Sequence, residues 1–313
     1  MVCFQTIVLS CLCKVFAKIG WFFYNPIGCF YFLCSFVYFY HWRDDMVKRI
    51  LTIGGSDPFA GGGIQTDLKT FENHQLFGLS ALTSIGMLDP SGDFLLEGVA
   101  PELLERQLAS IQQMSSLDGI KIGWLHSVEN VRITSEFLKK QKDLPIVLDP
   151  VLAFKETQST GSRQYIEALI QYLFPYAAIV TPNLREAALL SGIEIQTEEQ
   201  MQQAAEKIYT LGAKSVVVKG GAGFPGQEAV ELFYNGGETT RYKKAKLDAA
   251  TVNGAGCAFS SAIAANLVHG RSLEEALLNS KDYVYHSILN GVPMADGSGS
   301  VWYGDAEGGT TIG

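Results

Sequence analysis

Val252-Asn253-Gly254-Ala255-Gly256-Cys257-Ala258-Phe259-Ser260-Ser261-Ala262-Ile263-Ala264-Ala265 is the stretch from which the rest of the chain can be read. Two glycines flanking one small residue allow a tight turn, and the alanine-rich run behind them predicts a buried helix that begins at the turn. The first amides of a helix lack intrahelical partners and carry the positive end of its dipole. The amides of Gly254, Ala255, Gly256 and Cys257 are therefore a candidate anion hole for a phosphoryl group in transfer. Cys257 stands at the same N-terminus, where a thiol's pKa is expected to fall. A plain loop and packed helix with an inert buried cysteine would read the same way. A second glycine cluster favours a site: Gly54-Gly55-Ser56-Asp57-Pro58-Phe59-Ala60-Gly61-Gly62-Gly63-Ile64-Gln65-Thr66-Asp67-Leu68-Lys69. Two such turns in one chain predict a site with two ends.

At 47% hydrophobic and 18% charged residues over 313 positions, the chain can bury a large core and is too apolar to be disordered. A formal charge of −8 argues against a nucleic-acid binder, which needs a basic face. An anionic substrate would have to be held by local amides, a lysine and Mg²⁺. Cys3, Cys11, Cys13, Cys29 and Cys34 all precede Met46, which leaves Cys257 alone in the remaining body. A body without a disulfide fits a reducing cytoplasm.

Residues 19–40 carry no charge and are crowded with aromatics. Their length would span a bilayer, but Pro26 and Gly28 interrupt the run and no signal-peptide cleavage pattern follows. The preferred reading takes Met46 as the start and residues 1–45 as upstream sequence, because Val47-Lys48-Arg49-Ile50-Leu51-Thr52-Ile53 begins a strand at once.

From there strands and helices alternate. Helices are expected over 64–77, 101–114, 127–140, 197–211, 256–268 and 272–290, with another opening at Pro182-Asn183-Leu184-Arg185-Glu186. Strands are expected over 79–88, 119–123, 145–150, 177–181 and 215–221, and a hairpin over 229–234 and 238–244. Asp149 ends a strand, the position where ligands sit in open α/β sheets. Residues 154–161 suit either a lid or an ordinary loop. This alternation predicts one α/β domain over 46–303, a parallel-dominated sheet with helices on both faces, followed by a loose tail over 304–313.

Several chemistries are excluded. No Gly-Lys-Ser/Thr occurs, so there is no Walker loop, and the upstream cluster puts Thr66 where a dinucleotide fingerprint needs its third glycine. The histidines His41, His74, His126, His269 and His286 show no zinc spacing.

Residues 46–303 resemble the ribokinase-like vitamin kinases, the branch of hydroxymethylpyrimidine (phosphate) kinases and bacterial pyridoxal kinases. The matching stretches are Ile53-Gly54-Gly55-Ser56-Asp57 with Gly61-Gly62-Gly63-Ile64-Gln65-Thr66-Asp67-Leu68-Lys69, then Lys121-Ile122-Gly123 and Leu148-Asp149-Pro150-Val151. Thr181-Pro182-Asn183-Leu184-Arg185-Glu186-Ala187, Val218-Lys219-Gly220-Gly221 and Gly254-Ala255-Gly256-Cys257 follow in the family's order. The resemblance implies a ribokinase-like fold and Mg-ATP-dependent phosphorylation of a hydroxymethyl group on a nitrogen heterocycle. It implies Cys257 as proton acceptor, and an anion hole from Gly254, Ala255 and Gly256. It also implies ATP contacts from Asn183, Lys219, Gly220, Gly221 and Gly256, and Mg²⁺ held near Glu186 and Asp149. Gly55, Gly62, Leu88, Trp124 and Val151 would line the substrate pocket, and relatives of this kind are commonly homodimers.

The departures bear on the substrate. Pyrimidine kinases of this branch carry Thr-Ala-Gln-Asn-Thr where this chain has Gly86-Met87-Leu88-Asp89-Pro90, so the pyrimidine-binding glutamine is replaced by Leu88. That version is more similar to the pyridoxal kinases, and a B6 vitamer is the expected substrate. A pyrimidine kinase, or a B6-binding protein with little turnover, remains the alternative: Asn253 replaces the family's His, Phe154 replaces a lid cysteine of some members, and Gly297-Ser298-Gly299-Ser300-Val301 lacks the usual Gly-Pro. Expression from Met46 is expected to give a soluble, fully active protein in a turnover assay, and an insoluble or inactive product would refute that start.

Overall fold

Along the central strands the side chains alternate between two faces, and this period of two divides the interior into two cores. The computed structural model describes residues 47–152 and 162–304. Its main sheet runs β3-β2-β1-β4-β5-β6-β7-β8-β9. The strands are β1 (Arg49–Ser56), β2 (Phe77–Leu88), β3 (Phe94–Gly98), β4 (Gly119–Ile122), β5 (Ile146–Leu148), β6 (Ile179–Val180), β7 (Val216–Gly221), β8 (Glu228–Tyr234) and β9 (Thr239–Ala245). β2 through β7 pair in parallel, whereas β3 at one edge and β8 and β9 at the other are antiparallel.

The helices are α1 (Gly63–Asn73), α2 (Pro101–Met114), α3 (Val128–Leu138), α4 (Arg163–Tyr172), α5 (Leu184–Ser191), α6 (Glu198–Thr210), α7 (Ala255–Val268) and α8 (Leu273–Leu289). Leu51, Ile53, Ile120, Ile122, Leu148 and Val180 pack with Leu104, Val131, Leu169 and Met201 of α2, α3, α4 and α6 on one face. Ile50, Val147, Ile179 and Val217 meet Phe71, Phe259, Ile263 and Leu277 of α1, α7 and α8 on the other. The fold is therefore α/β with helices on both faces of a mainly parallel sheet, as the alternation of elements required. β1 sits between β2 and β4, so a crevice opens beyond the carboxyl ends of the central strands.

Local chemistry explains where the elements end. Asn183, Thr197 and Ser272 each start a helix through a reciprocal capping box with the residue three positions on, and Pro101 occupies the first turn of α2. The helix expected over 64–77 stops at Asn73 instead, because Gln75 takes a left-handed conformation (φ 58°) and Phe77 pairs with Arg49 to open β2. β3, α4 and the short hairpin of β10 (Val292–Pro293) and β11 (Gly299–Ser300) were not expected from the sequence. The extension before Met46, the lid reading at 154–161 and the tail beyond Gly304 lie outside the described residues. Among the described residues no helix is long and apolar enough to cross a membrane.

Gly63 has φ 62°, and a Cβ there would lie 2.4 Å from the Gly55 carbonyl oxygen. Both steric demands oppose any side chain, so Gly63→Ala is expected to destabilise the protein by roughly 1–3 kcal/mol, read as a lower Tm. An unchanged Tm would contradict this packing.

Candidate active site

The two glycine turns face each other. Gly254 caps α7 with φ 84°, and a Cβ on it would stand 3.1 Å from Thr66 Oγ1 and 3.5 Å from the carbonyl carbon of Gly61. A Cβ on Gly62 would lie 3.7 Å from Cys257 Sγ, and one on Gly256 would lie 3.5 Å from Lys219 Nζ. Thiol and ammonium thus border the first turn of one helix. No side chain caps that helix, and the amides of Gly254, Gly256 and Cys257 find no acceptor among the described residues. The Ala255 amide differs from expectation: it donates to the Val252 carbonyl at 3.2 Å, closing the turn rather than facing an anion.

Strand ends supply the charges. Lys219 on β7 donates to Asp149 Oδ1 at 2.7 Å, just past β5, and Asp149 also accepts from Ser260 Oγ at 3.0 Å and Thr181 Oγ1 at 3.3 Å. Glu186 accepts from the Asn183 amide at 2.8 Å within the capping box of α5. Burial, chiefly, and the nearby Asp149 charge push the Glu186 carboxyl up to about 7, against the pull of Lys219. The Cys257 thiol is likewise pushed up to about 11 by burial, with Lys121 opposing and Asp149 and Asp67 adding. The lowered thiol pKa expected from the helix terminus is thereby corrected: desolvation and two carboxylates outweigh the favourable charges in the protein alone.

A cavity of about 860 Å³ unites these groups. Gly55, Gly62, Leu88, Trp124, Val151, Asp149, Asn183, Glu186, Lys219, Gly254, Ala255, Gly256 and Cys257 all line it. Leu88 is 50% exposed, so it is no core residue, whereas Trp124 is held by its carbonyl accepting from Thr83 Oγ1 (2.6 Å) and by packing on Tyr165. Gly220 and Gly221 are not among the lining residues. A Cβ on Gly220 would meet the Val230 carbonyl oxygen at 2.4 Å, and Gly221 (φ 50°) turns the chain into β8, so both glycines serve the sheet bulge.

The sequence reading passed over Asp67 and Lys121, which also line the cavity, and the β10–β11 hairpin, which brings Met294, Asp296 and Ser300 to it. Lys121 carried a legible signal, a lysine inside the apolar strand Gly119-Ile120-Lys121-Ile122. The hairpin carried none, since two-residue strands have no periodicity to read.

Among the described residues no group of three or more His, Cys, Asp or Glu side chains could hold a metal. Mg²⁺, however, keeps waters and substrate phosphates and needs only one or two carboxylates. Glu186 and Asp149, close enough that one charge raises the other's pKa, are a donor set that fits a divalent cation.

Residues 57–302 match the family model described as phosphomethylpyrimidine kinase. The pyridoxine kinase of Bacillus subtilis is 34% identical over 251 residues, 79% of this chain and 93% of that protein. The hydroxymethylpyrimidine/phosphomethylpyrimidine kinase of Aquifex aeolicus is 32% identical over 247 residues, 79% of this chain and 96% of that protein. The structure of the pyridoxal kinase from Staphylococcus aureus in complex with AMP-PCP and pyridoxal is similar with a TM-score of 0.77 at 34% identity, covering 82% of this chain and 93% of that one.

Because Glu186 holds its proton more tightly folded than unfolded, the stability it contributes is fully present below its ordinary value of 4.5 and is lost as pH rises through about 7. Glu186→Gln keeps a capping-box side chain and removes the titration. Between about pH 5 and pH 7 the wild-type Tm is expected to fall relative to that of the variant. Parallel curves would show that this carboxyl does not titrate there.

Proposed function

The chain belongs to the phosphomethylpyrimidine kinase family, and we propose that within it this chain phosphorylates the hydroxymethyl group of a B6 vitamer (pyridoxal, pyridoxine or pyridoxamine) with ATP as donor. It is a small-molecule kinase of the ribokinase-like class, and its relatives divide between B6 vitamers and hydroxymethylpyrimidine. One observation carries the choice. Leu88 faces the cavity where the pyrimidine kinases of this family carry glutamine, and Phe59, Phe94, Leu96, Trp124 and Val151 line the cavity with it. An apolar wall without that amide favours a substituted pyridine over a pyrimidine that needs the hydrogen bond.

The chemistry is positioning and charge stabilisation, as phosphoryl transfer requires. The vitamer's alcohol lies at Cys257, which accepts its proton. The γ-phosphoryl group passes over the amides of Gly254, Gly256 and Cys257. Lys219, oriented by Asp149, meets the phosphates beside Gly256, and Asn183 borders the same nucleotide end. Glu186, with Asp149 behind it, would hold Mg²⁺, which supplies charge neutralisation across the phosphates when bound. A homodimer is supported by Ile85, Met87 and Leu95, exposed apolar side chains on β2 and the edge strand β3.

Coupled ATP-consumption assays with pyridoxal, pyridoxine and hydroxymethylpyrimidine test the assignment. The B6 vitamers are expected to turn over, and Cys257→Ala to lose about 10²–10⁴-fold in kcat. Turnover of the pyrimidine alone would overturn the substrate, and vitamer binding without turnover would make this a binding protein. Met87→Glu is expected to convert a dimer to a monomer in analytical ultracentrifugation, and a monomeric wild type would end the dimer proposal.

A further inference from the structure

We infer that Lys121, buried in β4, is a positioning residue for the transfer: its ammonium supplies the charge against which Cys257 holds a thiolate, and Asp67 and Ser261 fix where that ammonium stands. The inference rests on the reading of Cys257 as proton acceptor.

Lys121 is 1% exposed, pairs in register with Thr52 and sits between Ile120 and Ile122, whose side chains belong to the opposite core. Its side chain therefore enters the layer beneath α1 and α7. Nζ donates to both oxygens of Asp67, each at 2.9 Å, and no acceptor among the described residues takes its third proton. A Cβ on Gly123 would come 3.1 Å from this nitrogen, close enough to crowd it.

Asp67 also accepts from Thr52 Oγ1 at 2.6 Å and from Ser261 Oγ at 2.7 Å. Ser261 lies four residues beyond Cys257 on α7, on the same side of the helix. The bond to Asp67 consequently ties the position of the lysine to the helix that carries the thiol. The preceding residue, Ser260, makes the parallel connection to Asp149 and hence to Lys219. Two cation–carboxylate pairs thus hang from consecutive serines of one helix, and Lys121, Asp67 and Cys257 all line the same cavity.

A buried ion pair is weak evidence for stability, since apolar residues of similar volume commonly do as well. The position of this one suits it to chemistry. In the transfer the vitamer's hydroxyl oxygen bonds to the γ-phosphorus, the bond from that phosphorus to the ADP oxygen breaks with its electron pair, and the hydroxyl proton passes to Sγ. Cys257 must then begin as a thiolate, which burial opposes. The charged groups facing it are Lys121 from β4, Asp67 from α1, Asp149 beyond β5 and Lys219 from β7, and of the two lysines Lys121 draws the thiol down more. Each lysine is paired with a carboxylate, Lys121 with Asp67 and Lys219 with Asp149, but in the proposed transfer Lys219 also meets the phosphates, whereas Lys121 has no other partner among the described residues.

The test reads the thiol without ATP or vitamer: the pH dependence of iodoacetamide alkylation at Cys257 in the full chain, resolved by peptide mass spectrometry so that the five N-terminal cysteines do not contribute. Lys121→Met is the direct variant. Lys121→Met with Asp67→Leu removes both charges and is the better folder. In each the alkylation midpoint is expected to rise, by about one pH unit in the single variant, which is about tenfold slower alkylation at a fixed pH below the midpoint. A smaller rise is expected in the pair, because Asp67 opposes Lys121 less than Lys121 acts. A midpoint in the folded double variant equal to or below that of wild type would overturn the inference. A wild type that turns over no vitamer sinks the kinase reading alone, whereas normal turnover with an unmoved midpoint sinks only this one.

Discussion

The site depends on two backbones meeting where no side chains intervene. Gly61 and Gly62, at the mouth of α1, lie against the mouth of α7: a Cβ on Gly254 would crowd Thr66 Oγ1 of α1 at 3.1 Å, and Cβ atoms on Gly61 and Gly62 would reach Asn253 Cβ at 3.4 Å and Cys257 Sγ at 3.7 Å. This closeness sets the sulfur against Gly62 and leaves the α7 amides uncapped. It is possible because both helices pack on the same face of the sheet, where Phe71, Phe259 and Ile263 share one core. The apolar packing of α1 and α7 is therefore what holds the phosphoryl end of the cavity in shape, and the glycines are what let the packing bring the loops together.

Charge is arranged around that contact in an acidic protein with few cations to spare. Both lysines of the cavity are neutralised by a carboxylate, Asp67 for Lys121 and Asp149 for Lys219, so the unliganded protein buries pairs rather than isolated charges. Glu186 has no such full partner, and its carboxyl is raised accordingly. On the proposed function, a nucleotide phosphate would compete with Asp149 for Lys219, and Glu186, the carboxyl raised by burial, would lose its proton where it held Mg²⁺.

The sequence made the sheet legible because β4, β5, β6 and β7 are short apolar runs bounded by Gly, Pro or Asp, and it made four of the eight described helix starts legible through Asn183, Thr197, Ser272 and Pro101. It misplaced the end of α1, since apolar Leu76 and Phe77 continue the helical pattern while Gln75 breaks it with a backbone conformation that glutamine seldom advertises. Of the candidate site, the glycine turns and Cys257 were readable as local patterns, Lys219 and Glu186 entered through the family resemblance, and the cavity gathers them. Asp67 and Lys121 were quoted as part of longer stretches without a role, because their meaning lies in a contact between residues 54 positions apart. Gly220 and Gly221, given an ATP contact only by the family resemblance, also serve the sheet, where they accommodate a bulge against Val230.

The two ends of the cavity are built from different materials, and this bears on how one framework can serve two vitamins. The transfer end consists of backbone amides, glycines and buried charge pairs, all anchored in the two cores, and few substitutions there leave the geometry intact. The proposed ring end draws on Leu88, Phe94 and Leu96, which stand on the edge strand β3 and its neighbour β2, outside both apolar cores, where a side chain can change without creating a cavity in the core. Substrate choice can therefore drift at the edge while the chemistry stays fixed at the centre. Under the proposed assignment that separation lets the side chain at position 88 follow the substrate while the charge pairs stay in place, and the relatives that match this chain at 34% and 32% identity carry one name of each kind.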